Sequence, residues 1–175
     1  GLVVWADAPA AMEFSTTSFT RSAAAWPELI ARDRNHPCVI AWVPFNESWG
    51  VDAAASDPAQ RAAIVALQAM AAALDPSRLA LGNDGWEHVV GDVVGVHDYS
   101  HDPDALRRRY GTREAVAARL GEGSDFGRAY VVGSPDLAGV PVVLSEFGGL
   151  SLDADADAWA GYGGVRDGAE LVAKL

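Results

Sequence analysis

The chain has 175 residues, half of them apolar and 21% charged, with a formal net charge of −11. That length suits one hydrophobic core, the apolar content excludes a disordered chain, and the acidity disfavours nucleic acid and anionic membranes as partners. A single cysteine, Cys38, excludes an internal disulfide and a cysteine-rich metal site, and no apolar stretch approaches the roughly 20 residues that span a bilayer. The expectation is a soluble, cytoplasmic protein.

The first predicted element is a strand over Leu2-Val3-Val4-Trp5. It starts straight after Gly1, like a strand already in progress, so residues 1–175 are expected to be part of a larger domain. A helix comes next, from about Ala23 to Arg32, and ends before His36-Pro37. Cys38 to Val43 is the second strand, with the Cys38 thiol expected to be buried. Asp57-Pro58 reads as an N-cap with proline at the first helical position, and Ile64, Leu67, Ala71 and Leu74 then share one helical face until Asp75-Pro76. Leu79 to Leu81 is a weaker strand and Val93 to Val96 a stronger one. Arg107, Arg108 and Arg109 read as a solvated helix face. A further helix starts after Thr112, with Leu120 near its end and Gly121 at C′. Gly121 to Gly139 reads as a long connection, Val140 to Leu144 as a strand, and the residues from Gly163 onward as the start of another helix.

Continuous apolar runs of this length suit strands buried on both faces, and their alternation with helices predicts an α/β fold with a parallel sheet. A doubly wound sheet and a (β/α)8 barrel both fit. No glycine-rich phosphate fingerprint comes after the first strand, which removes the commonest nucleotide-binding reading.

In parallel α/β folds the loops after the strands open on one face, so the residues just past each apolar run carry the functional signal. The first strand leads to Asp7, the second to Asn46-Glu47-Ser48-Trp49, the weak one to Asp84-Gly85-Trp86, the next to His97-Asp98-Tyr99 and the last to Glu146. Trp49, Trp86 and Tyr99 are candidate platforms for the apolar face of a sugar ring, while Asp7, Asn46, Asp84 and His97 are candidate hydrogen-bonding groups at its edge. Glycosidic hydrolysis needs one protonated and one ionised carboxyl, and Glu47 and Glu146 are the best-placed pair. His88, His97 and His101 form no recognised zinc pattern, and no metal or other cofactor is expected.

The run Arg34-Asn35-His36-Pro37-Cys38-Val39-Ile40-Ala41-Trp42-Val43-Pro44-Phe45-Asn46-Glu47 resembles the acid/base signature of glycoside hydrolase family 2. Pro141-Val142-Val143-Leu144-Ser145-Glu146-Phe147-Gly148-Gly149 is similar to that family's nucleophile segment, Leu2 to Pro9 to its third strand, and Val96-His97-Asp98-Tyr99 to its sixth. The resemblance implies a partial (β/α)8 TIM barrel, roughly strands three to seven with their helices, as a fragment of one catalytic domain over residues 1–175. It makes Glu47 the acid/base and Glu146 the nucleophile of a retaining, exo-acting β-glycosidase, with β-galactosides the first substrate class to consider. The missing barrel strands and upstream β-sandwich domains of the parent chain become expected partners, and the fragment alone is expected to be inactive. Two other readings stay open at this point: a carbohydrate-binding or pseudoenzyme module, and an inverting two-carboxylate glycosidase.

Overall fold

A computed structural model describes residues 1–152 and 161–174. The elements, in chain order, are β1 (Val4–Asp7), α1 (Thr16–Asp33), β2 (Val39–Val43), α2 (Pro58–Leu74), β3 (Leu79–Ala80), β4 (Val94–Asp98), α3 (Pro103–Tyr110), α4 (Arg113–Glu122), β5 (Val142–Phe147), β6 (Leu150–Leu152), β7 (Gly163–Val165) and α5 (Gly168–Lys174). All the strand pairs are parallel: β1-β2-β3 form one sheet, β4-β5 a second and β6-β7 a third. Parallel pairing forces a crossover between neighbours, and helices supply it from β1 to β2, β2 to β3 and β4 to β5. Past the end of β3, the His97 amide donates to the Gly85 carbonyl (3.2 Å), so the first two sheets are joined. The α/β class with parallel strands expected from the alternation is what the chain adopts.

The core lies between β2 and the pair α1 and α2. Trp26, Ile30, Trp42, Phe45, Ile64 and Leu67 pack together there, and Trp26 meets Trp42 edge-on at 6.2 Å between ring centroids. Both indoles are satisfied, Trp26 Nε1 donating to the Leu67 carbonyl (3.0 Å) and Trp42 Nε1 to Asp75 Oδ2 (3.0 Å). Asp57 caps α2 by accepting from the Ala59 amide, as its Asp-Pro signal implies. No helix of the described residues is long and apolar enough to cross a membrane.

Several expectations need correction. Helix α1 begins at Thr16, not near Ala23, because Ser15 and Ser18 form a reciprocal capping box, while Pro27 sits well inside the helix. Cys38 is exposed: it precedes β2, where its carbonyl accepts the Val4 amide (2.7 Å). Only β2 and β4 approach burial on both faces; β1 and β5 are largely half-buried or open, with Val4 and Phe147 exposed. Arg107 and Arg108 are solvated, but Arg109 turns inward and its Nη1 donates to both oxygens of the buried Asp98 at 2.8 Å. Helix α4 runs through Gly121 to Glu122 and stops at Gly123, whose φ of 89° is what glycine tolerates. Gly163 opens a short strand and the last helix starts at Gly168. The segment after α4 is not a free loop, since Tyr130 is fully buried and the amides of Glu87 and His88 donate to the Ala129 and Tyr130 carbonyls.

Candidate active site

The carboxyl ends of β1, β2, β4 and β5 converge. Beyond β2 the chain turns through Glu47 (φ 51°) and Ser48 (φ 58°), two consecutive non-glycine residues in the left-handed region. Such residues each cost on the order of 1 kcal/mol or more and persist only where neighbours hold them. Here the Glu47 amide donates to the Asp84 carbonyl (2.9 Å) and the Ser48 amide to Asn83 Oδ1 (3.1 Å). Glu146 comes from β5, directly across the ladder from His97 of β4.

His97 sits at the centre of the carboxylates and is 1% exposed. Its Nδ1 lies 2.8 Å from Glu47 Oε1, and its Nε2 lies 3.5 Å from Glu146 Oε1 and 3.6 Å from Asp84 Oδ2. Burial alone would lower the imidazole pKa, but the nearby Asp84 carboxylate, the hydrogen bond with Glu47 and the charge of Glu146 outweigh it and carry it up to about 9. An imidazolium therefore offsets part of the negative charge gathered here. The Tyr99 hydroxyl donates to Glu146 Oε2, and burial, followed by that bond, pushes the phenol's pKa upward, so Tyr99 stays a neutral donor. Asp7 is exposed at the end of β1, yet protein around its carboxyl, then the Asp84 and Glu146 charges, raise its pKa to about 6 against the opposing pull of His97.

Asp84 departs from its expected role at the ring edge. It is 2% exposed and its oxygens are taken from within: Trp5 Nε1 donates to Oδ2 (2.8 Å), while Ser145 Oγ (2.7 Å) and the Gly85 amide (2.9 Å) donate to Oδ1. It is a buried brace linking β1, the β3 end and β5. Gly95 makes room for it, because a Cβ there would stand 1.6 Å from Asp84 Oδ1.

The aromatic residues divide. Trp49 is exposed, whereas Trp86 is only 7% exposed and is edged by His97 at 5.8 Å and Phe126 at 5.4 Å. Tyr99 stacks on Tyr162 with centroids 3.5 Å apart and an interplanar angle of 12°. Glu47, Trp49, Trp86, Phe126, Arg128 and Tyr162 line a cleft of about 320 Å³. Asn46 beside Glu47 has a buried Oδ1 with no partner among the described residues. Trp5, Ser145, Phe126 and Tyr162 are site residues that the sequence does not single out; Phe126 and Tyr162 lie in glycine-flanked segments, the only local signal they carry.

One donor atom each from Glu47, His97 and Glu146 lies within 4.8 Å of the other two, a spacing that could hold a cation. Those same groups already hydrogen-bond His97 to Glu47 and Tyr99 to Glu146, so a cation would have to compete for them.

A family model described as glycosyl hydrolases family 2, TIM barrel domain, matches residues 16–112, more than half of the chain. This chain belongs to glycosyl hydrolase family 2. The matched segment carries Asn46, Glu47, His97 and Tyr99 and stops short of Glu146. That family is described as one of glycosyl hydrolases, and the matched part is its TIM barrel domain. Among solved structures, the chain is similar to the Parabacteroides merdae beta-glucuronidase at 24% identity and a TM-score of 0.46, over 58% of this chain and 13% of that one. It thus spans 13% of that relative's length. No curated protein sequence matches.

Proposed function

We propose that the chain carries the catalytic centre of a retaining, exo-acting β-glycosidase, with Glu146 as nucleophile and Glu47 as acid/base. The observation that carries this reading is the approach of the two carboxyls: an oxygen of each lies within 4.8 Å of the other, with His97 between them. Retaining enzymes place the pair about 5 to 5.5 Å apart, while inverting ones need about 6.5 to 9.5 Å to admit a water. So close an approach favours the retaining reading over the inverting alternative.

In the first step the Glu146 carboxylate attacks the anomeric carbon while Glu47 gives its proton to the glycosidic oxygen. The C–O bond breaks, the aglycone leaves as an alcohol, and a glycosyl ester forms on Glu146. In the second step Glu47, now ionised, takes a proton from water as the water oxygen attacks the anomeric carbon, and Glu146 departs as a carboxylate. Tyr99 holds Oε2 of Glu146, leaving Oε1 for the sugar. His97 steadies whichever of Glu47 and Glu146 bears the charge. Asn46 contributes its side-chain amide to the sugar's 2-hydroxyl, Asp7 contacts a ring hydroxyl at the rim, and Trp49 and Trp86 flank the substrate. Asp84 belongs to the supporting shell rather than to the substrate.

In this reading β1 to β5 are strands three to seven of a TIM barrel, within one catalytic domain over 1–175, and a barrel of that kind closes with eight. The exposed Val4 side of β1 and Phe147 at the end of β5 favour further strands of the parent chain as their cover. On this reading the fragment alone is inactive, and the full-length enzyme is the species to assay. β-Galactosides are the first substrates to try, as the commonest activity of the family. Proton NMR of early hydrolysis by that enzyme is expected to show the β-anomer released first. Initial release of the α-anomer would reject the double-displacement reading.

A further inference from the structure

The left-handed Glu47–Ser48 turn needs a brace, and one of its supports is a buried carboxylate outside the catalytic pair. Glu87 is 3% exposed and itself left-handed, with φ of 49°. Its Oε2 accepts from Ser48 Oγ at 2.6 Å and from Arg128 Nη2 at 2.8 Å. Ser48 Oγ in turn accepts from Asn83 Nδ2 (2.9 Å), so the hydroxyl both donates and accepts and its rotation is fixed. Arg128 supplies the counter-charge that lets a carboxylate stay buried, and the same Nη2 reaches the Asp52 carbonyl (3.2 Å) further along the turn.

Arg128 also closes the tight loop carrying Phe126: its carbonyl accepts the Ser124 amide (2.7 Å) and its own amide donates to Ser124 Oγ (3.1 Å). One carboxylate therefore ties the turn that aims Glu47 to the loop that sets the Phe126 wall of the cleft. We infer that Glu87 is a positioning residue, acting through Ser48 to hold the Glu47 carboxyl where it can protonate the leaving group. This rests on the acid/base reading of Glu47. Glu87 and Ser48 themselves touch no reacting atom in this scheme; their effect is on aim, which matters only as far as the leaving group needs a proton.

Leaving-group dependence separates aim from general stability. The 4-nitrophenyl β-galactoside, β-glucuronide and β-mannoside identify the sugar the full-length enzyme turns over, and the methyl and 2,4-dinitrophenyl glycosides of that sugar form the series. For Glu87→Gln and Ser48→Ala, kcat/KM on the methyl glycoside is expected to fall about 10- to 100-fold, a part of what full acid catalysis provides, with a change of about three-fold or less on the dinitrophenyl glycoside. If Glu87→Gln fails to fold, Ser48→Ala, which keeps the Glu87–Arg128 pair, decides. Equal losses on both glycosides, or no loss on the methyl glycoside, would overturn the inference. Glu47→Ala is measured alongside: if it shows no leaving-group dependence, the assignment of Glu47 is what has failed, and not the role of its brace.

Discussion

The two glutamates are held in different ways. Glu47 stands on a left-handed turn with buried partners around it, its side chain 15% exposed. Glu146 stands on β5, a half-open strand paired on one side by β4, with its side chain 40% exposed and one phenol gripping it. An acid/base group must serve two protonation states at one position, so aim is worth backbone strain and a dedicated set of braces. A nucleophile needs one ionised oxygen facing the anomeric carbon, and a regular strand delivers that with little local support.

Removing each group should expose that contrast most strongly. In the full-length enzyme, Glu146→Gly is expected to lower kcat/KM on the order of 10⁴-fold or more on every glycoside, because no covalent step remains. Glu47→Ala is expected to cost about 10²- to 10⁴-fold on poor leaving groups and far less on good ones, with azide restoring turnover as a β-glycosyl azide. Steady-state kinetics across the leaving-group series reads both.

The supporting shell should give the next largest effect. Gly95→Ala forces Asp84 from its seat and strands the donors of Trp5 and Ser145, so a loss of about 3 to 5 kcal/mol in unfolding free energy is expected from denaturant titration. Arg109→Ala, which takes from the buried Asp98 the nitrogen that reaches both its oxygens, is expected to cost about 2 to 3 kcal/mol, against about 0.5 kcal/mol or less for Arg107→Ala on the solvated face of the same helix.

A smaller effect lies in pH. His97 has its pKa raised from 6.5 to about 9, so the folded state holds its proton more tightly; that stabilisation is complete below about 6.5 and is lost as pH rises through about 9. Thermal melts should show midpoints falling from pH 6.5 to 9, with the slope reduced in His97→Gln. His88, buried with its pKa lowered to about 4, has the opposite sign: its contribution is complete above 6.5 and is lost as pH falls through 4.

Much of the site is legible in the sequence because its residues stand just past buried strands. Glu47, His97 and Glu146 each mark the end of a continuous apolar run, and Asp57-Pro58 announces α2. Asp102-Pro103 carries the same signal and starts α3, the helix whose solvated face Arg107 and Arg108 mark. Asp84 reads as a ligand for sugar because its neighbours are polar, but only three-dimensional packing shows Trp5 and Ser145 closing on it. Phe126 and Tyr162 reach the cleft from segments whose position depends on long-range pairing, such as the Glu87 amide with the Ala129 carbonyl, and no local periodicity reports that. Glu87 carries no local signal of a brace, because its partners Ser48 and Arg128 lie far from it in the chain and meet it only in the fold.

The central claim is that Glu146 forms the covalent bond while Glu47 serves it. Incubating the full-length enzyme with a 2-deoxy-2-fluoro-β-glycosyl fluoride of its sugar and mapping the adduct by peptide mass spectrometry tests this directly. The expected result is one fluoroglycosyl group on Glu146, none in Glu146→Gly, and an adduct that persists in Glu47→Ala. An adduct on any other residue, Glu47 included, would contradict the assignment.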